Sequence, residues 1–166
     1  VASLDLPGVH ILPEIGRVGG LYGAAGSITG ALLGGLLVQR MGTRAALGAF
    51  ALGQAGTMAL YAHVAASGPA LVPVAAVAEH FVSGMATAAL FTAMMQACRR
   101  ERAGVDYTVQ ASVVVIAQGL GAILSGYTAA RLGYANHLLL ATILCALPIV
   151  MVARWPASAP DRFALR

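Results

Sequence analysis

Charge is what this chain has least of. Asp, Glu, Lys and Arg make up 10% of its 166 residues, against roughly 25% in soluble domains. Lysine is absent, and all ten basic residues are arginines. Too little polar surface is available to clothe a water-soluble globule of this length, and no separate soluble domain fits beside the apolar part. The two cysteines, Cys98 and Cys145, have no CxxC partner and no metal-ligand neighbour. That argues against a disulfide framework or a zinc site, and both read as small apolar residues. The N-terminus lacks a basic segment followed by an apolar core, so no signal peptide is visible. Val1 in place of Met leads us to expect a longer chain whose start is missing.

Enzyme signatures are missing too. Glu79-His80 continues Phe81-Val82-Ser83 rather than completing HExxH, and there is no GxSxG and no phosphate-binding loop. Gly119-Leu120-Gly121 lacks the third glycine of a dinucleotide motif and lies within an apolar run. The expectation is a protein that is not an enzyme, with no cofactor and no metal.

What is present is apolar length. Hydrophobic residues make up 59% of the chain and mean hydropathy is +0.82. Five stretches run from Gly16 to Val38, Ala45 to Val64, Val74 to Cys98, Ala111 to Ala130, and Leu138 to Val152, the last extending to Trp155. A helix needs ~20 mostly apolar residues to cross ~30 Å of hydrocarbon. The runs are too long and too little alternating for barrel strands, which leaves helices as the way to satisfy the backbone in lipid. The expected fold is an all-α integral membrane protein with five transmembrane helices in a bundle over 16–155. An external loop over 1–15 would precede it and a cytoplasmic tail over 156–166 would follow.

The arginines cluster at the ends of these runs. Arg40 and Arg44 follow the first, Arg99, Arg100 and Arg102 the third, and Arg154, Arg162 and Arg166 the fifth; only Arg17 and Arg131 fall on the other side. By the positive-inside rule the eight-arginine side is cytoplasmic, with the N-terminus periplasmic and the C-terminus inside. The basic balance is therefore a topology signal rather than a nucleic-acid footprint, and the first partner implied is the lipid bilayer.

Glycines 16, 20, 23, 26, 30 and 34 descend the first run, the last three at strict four-residue spacing. They form a groove that lets another helix approach closely, either for tight packing alone or as a face that slides. Ionisable residues inside a run are fewer. Glu79, Ser83, Thr87 and His80 fall within a sector about 100° wide on a helical wheel. A carboxylate in hydrocarbon is costly, so it faces the bundle interior or a watery cavity, and burial there disfavours its charged form. Glu79 thus reads as a substrate or proton-coupling group, as a structural partner of His80 or another helix, or as a residue near enough to the surface to reach water. Gln118, near the middle of the fourth run, is either helix–helix glue or cavity lining, whereas Gln54 in the second reads as glue. Tyr22 lends the first run polarity on its outer side. His63 and His137 map to external helix ends, and the fifth run, almost without polar groups, is expected to face lipid.

Two segments carry a resemblance. Gly35-Leu36-Leu37-Val38-Gln39-Arg40-Met41-Gly42-Thr43-Arg44 resembles the loop signature G-x-L-x-D-R-x-G-R-R of the major facilitator superfamily. It departs at Gln39, so the charge pair made by that Asp in many members lacks its carboxylate, and again at Thr43. The second segment begins Glu79-His80-Phe81-Val82-Ser83-Gly84-Met85-Ala86-Thr87-Ala88-Ala89-Leu90-Phe91-Thr92. It continues through Met95-Gln96-Ala97-Cys98-Arg99-Arg100 and Arg102-Ala103-Gly104-Val105-Asp106-Tyr107-Thr108-Val109-Gln110-Ala111-Ser112 toward Tyr134. It resembles the branch holding the anhydromuropeptide permeases and the rhizobactin- and pyochelin-type siderophore permeases, the Ala103 to Ser112 run being nearer the latter.

The resemblance implies that the five runs are helices eight to twelve of a twelve-helix transporter. The first, third and fourth would border a central cavity, the second and fifth would pack peripherally, and this half would rock against a missing N-terminal half. Glu79 would take and release a coupling proton. Tyr22, His80, Ser83, Thr87 and Gln118 would contact a small siderophore-like substrate. Arg40, Arg44, Arg99, Arg100, Arg102 and Asp106 would lie at the inner mouth as gate or anchors. The function so implied is part of a proton-coupled importer of a siderophore or its iron complex in a bacterial inner membrane. A muropeptide-type permease, a non-transporting five-span scaffold and an inactive remnant are the alternatives.

Overall fold

The computed structural model describes residues 16–67 and 71–154. The expected loop at 1–15, part of the turn between the second and third runs, Trp155 and the expected tail at 156–166 lie outside the described residues. A π-helical segment, Gly16–Tyr22, leads into α1 (Gly23–Met41). Then follow α2 (Thr43–Ser67), α3 (Val72–Ala97), a 3-10 turn at Arg100–Arg102, α4 (Ala103–Leu132) and α5 (Tyr134–Ala153). The described residues form no strand, and five helices are long and apolar enough to cross a membrane.

The helix ends differ from the apolar windows in an instructive way. The intervals between the first and second apolar runs and between the fourth and fifth are each reduced to a single non-helical glycine. Gly42, at φ 82° and ψ 153°, stops α1 and donates its N–H to Val38 O at 2.9 Å. Gly133, at φ 77°, stops α4 in the same way on Ala129 O at 3.1 Å. Both lie in a backbone region that L side chains avoid. Helix α4 begins eight residues before the apolar window at Ala111. Polar residues are no obstacle there: Asp106 in the first turn complements the helix dipole, and the Thr108 hydroxyl donates back to Gly104 O at 2.8 Å. At 30 residues α4 is about 45 Å long, so it outruns a hydrocarbon core of ~30 Å.

Four helices pack in the spatial order α1–α3–α2–α5. The α1–α3 contact is made by small residues. Gly23, Gly26, Gly30 and Gly34 are all buried, as is Gly84 opposite. A Cβ on Gly34 would come within 2.6 Å of Met85 Cα, and one on Gly30 would overlap the Phe81 carbonyl. One on Gly84 would overlap the Ser27 carbonyl in return. The two backbones lie too close for side chains, which is how small residues drive helix association in lipid, where the hydrophobic effect does not. Ser27 Oγ adds a bond to His80 O at 3.3 Å.

Toward the arginine-bearing end, Val38, Ala46, Phe50 and Ala89 form a buried apolar cluster joining α1, α2 and α3. Thr43 is buried beside it and receives the Gln96 amide N–H on Oγ1 at 2.8 Å. Helix α4 stands apart and buries none of its residues. It is tied to α5 where Thr128 Oγ1 and Ser125 Oγ meet the His137 ring nitrogens at 2.8 and 3.1 Å. At its other end Gln110 Nε2 donates to Met94 O and Cys98 Sγ, both at 3.4 Å, and Tyr107 packs edge-on against Phe91.

Candidate functional site

Glu79 and His80 sit about 10 Å along α3 from Val72, and the 100° between neighbouring residues sends them to different partners. Glu79 points to α2, where Gln54 Nε2 donates to Glu79 Oε1 at 2.7 Å. Gln54 is near the midpoint of its 25-residue helix, and the bond is partly buried. The other end of the amide, Gln54 Oε1, is buried with no partner among the described residues. His80 points to α1, its ring filling the space over Gly23, where a Cβ would lie 2.6 Å from Cδ2. The two residues remain within electrostatic reach, His80 Nδ1 to Glu79 Oε2 being 3.7 Å. Glu79 is 21% exposed and His80 37%.

The result is a polar cluster linking three helices. It holds one carboxyl able to exchange a proton, one imidazole beside it, and one amide with an unused acceptor. Gln54 was legible as glue, but nothing in its own helix identified Glu79 as its partner.

The other expected substrate contacts scatter. Ser83, one turn below Glu79, is half-buried, while Thr87, Tyr22 and Gln118 are exposed. Gln118 is on α4, which meets α3 only near the Arg99–Gln110 end, so the structure does not bring it to the Glu79 cluster. Helices α1 and α3, both expected to border a cavity, touch each other directly through the glycine face.

The expected gate residues divide into three kinds. Arg44, in the first turn of α2, reaches α5 and donates from Nε to Val152 O at 3.3 Å and from Nη2 to Ala153 O at 3.2 Å. It thus satisfies carbonyls that a helix end leaves open. Arg99 and Asp106 form a fork: Nε to Oδ2 at 2.9 Å, Nη2 to Oδ1 at 2.8 Å, and the Arg99 backbone N–H to Oδ2 at 3.0 Å. The hydrogen bonds and charge of Asp106 raise the Arg99 guanidinium further above its ordinary range. Arg40, Arg100 and Arg102 are exposed. His137, unremarkable in sequence, proves to be the junction between α4 and α5.

Among known proteins, the chain is similar to one named "Putative transporter AmpG 1" from Rickettsia bellii (strain RML369-C), 26% identical over 133 residues. The aligned part is 79% of this chain and 32% of that relative, so the chain spans about a third of the protein it matches. No family model matches the chain, and no solved structure does. Five membrane-length helices and the likeness to part of a transporter together support a multi-pass membrane protein.

Proposed function

We propose that the chain works as the C-terminal part of a secondary permease of major facilitator type, with Glu79 as its proton-exchanging group. The observation that carries this is the Glu79–Gln54 bond. An ionisable carboxyl is held within an apolar bundle by a neutral amide, with no arginine on it among the described residues. A permanent ion pair there would lock the carboxyl in its charged state, whereas an amide partner tolerates either state. His80, beside Glu79 and against the close α1–α3 contact, is the first candidate to sense substrate. Tyr22, Ser83, Thr87 and Gln118 would join it only when a second half closes over the exposed faces of α1, α3 and α4. Arg99 with Asp106, and Arg40, Arg100 and Arg102, would mark the cytoplasmic mouth, in a bacterial inner membrane with the N-terminal side periplasmic. No enzymatic step is part of this reading.

The cargo is a siderophore or its iron complex, or a muropeptide. The Ala103 to Ser112 run favours the first, and the resemblance to a branch that also holds the anhydromuropeptide permeases supports the second.

The test is pH-driven uptake into vesicles by the full-length protein with Glu79→Gln. Loss of coupling is expected, and undiminished uptake would end the role of Glu79. Deleting the gene separates the cargoes. Impaired growth on one siderophore as sole iron source supports the first, and normal growth on all of them with loss of muropeptide recycling supports the second.

A further inference from the structure

An open cavity of about 490 Å³ lies between α2 and α5 at the arginine-bearing end, away from the Glu79 cluster. Gly48 and Leu52 form one wall, Ile149 and Val152 the other, and Arg44 sits at the rim. The missing side chain at Gly48 keeps the groove open, since even a Cβ there would already touch Val152 Cγ1 at 3.5 Å. From Arg44 the α2 wall runs one face deep to Leu52, about 12 Å at 1.5 Å per residue. That is most of one leaflet of a ~30 Å core.

We infer that this groove is a binding site for one anionic phospholipid, with an acyl chain along its apolar walls and the phosphate at its arginine rim. The charge arrangement selects the headgroup. Arg44 uses Nε and Nη2 on the α5 carbonyls, and its Nη1 has no partner among the described residues. Arg154 follows one residue beyond Ala153, is exposed, and caps the same helix end only through its backbone N–H. Arg44 thus lines the groove, Arg154 is joined directly to its lining residue Ala153, and no carboxylate is on either arginine among the described residues. The acidic residues described at that end, Glu101 and Asp106, belong to the α3–α4 connection, and Asp106 is held by Arg99.

A guanidinium fork matches phosphate oxygens. A zwitterionic lipid would bring its own ammonium group toward two unpaired cations, whereas an anionic one would not. Basic pockets between membrane helices recognise anionic headgroups in this way. The bound lipid would fasten α5 to α2, a joint otherwise held at this end by the Arg44 bonds. The inference needs only that the helices cross a bilayer, and it is independent of what the protein carries.

The experiment is native mass spectrometry of the delipidated full-length protein, titrated with dioleoyl phosphatidylglycerol or dioleoyl phosphatidylcholine. The first phosphatidylglycerol should bind about tenfold more tightly than phosphatidylcholine, and glycerophosphoglycerol without acyl chains should not displace it. Arg44→Ala would also release α5, so two other variants decide. Gly48→Leu fills the groove and leaves Arg44 in place, and Arg154→Gln removes an exposed cation that holds no side-chain contact. Each should lower the preference for phosphatidylglycerol severalfold. Equal binding of the two lipids, displacement by the free headgroup, or a preference unchanged in either folded variant would overturn the inference.

Discussion

Gln54 donates to Glu79 across 2.7 Å while the other end of the same amide, Oε1, is buried without a partner. The two halves of this arrangement belong together. A carboxylate can only accept, so it takes the amide N–H. A neutral carboxyl has a proton to give, and the unused Oε1 is an acceptor that a half-turn of the amide would bring to it. Gln54 can in this way serve both protonation states of Glu79 without moving either helix.

The first prediction concerns that bond. Gln54→Leu and Glu79→Leu each remove it without adding charge. Interhelical bonds of this kind in membranes are worth about 0.6 kcal/mol on average and at most ~1.7. A double-mutant cycle of Gln54→Leu and Glu79→Leu, read by thermal unfolding of the full-length protein in detergent, should give a coupling in that range. Strictly additive losses would mean that the contact contributes nothing to stability.

How much of this was readable beforehand follows from what each pattern encodes. Five apolar runs of membrane length sufficed for five helices, since hydrocarbon leaves the backbone little choice. Four-residue spacing puts Gly26, Gly30 and Gly34 on one face whatever lies opposite, so the packing groove was legible while its partner, Phe81 to Met85 on α3, was not. Helix ends were harder. Hydropathy marks where a helix is apolar, and α4 continues through Asp106 and Gln110, which are not. The site suffered most. Gln54 and Glu79 are 25 residues apart on different helices, and nothing in either helix states the rotation that makes them meet. Arg44 was expected at the inner mouth as gate or anchor, and nothing in its own segment gave the end of α5 as its partner.

A second prediction concerns Thr43, where the major facilitator loop signature that this segment resembles carries arginine. Here the threonine is 5% exposed and its hydroxyl accepts the Gln96 amide. Thr43→Val should cost about 1–3 kcal/mol by leaving that amide unpaired. Thr43→Arg, although it restores the signature, should be worse, because the longer side chain must leave the packed corner to reach water. Comparative unfolding of the two variants in the same detergent checks the order, and a more stable arginine variant would refute it.

The Arg99–Asp106 fork yields a prediction about exposure rather than stability. Arg99 is exposed and Asp106 partly covered beside it, so the pair stays close to water and adds little to the folding free energy. Its three bonds nonetheless span the connection that carries Arg100, Glu101 and Arg102. Asp106→Asn should leave the unfolding temperature nearly unchanged and speed tryptic cleavage at these arginines severalfold, followed by mass spectrometry of the fragments. An unchanged cleavage rate would show that the fork does not restrain the turn.

The last prediction uses two glycines on one helix. Gly30 and Gly35 are both in α1, and alanine has the same intrinsic advantage of about 1 kcal/mol at either position. Their surroundings differ. A Cβ on Gly35 meets nothing within 4 Å, whereas one on Gly30 overlaps the Phe81 carbonyl, which as backbone cannot rotate away. Gly35→Ala should therefore be neutral or stabilising. Gly30→Ala should force α1 from α3 and cost roughly 1–3 kcal/mol, the range for overpacking. If the glycine face also slides during transport, Gly30→Ala should lower the uptake rate of protein that is still folded at the assay temperature, and Gly35→Ala should not. Equal stability of the two variants would mean that the close approach of α1 and α3 is not what the four-residue glycine spacing serves.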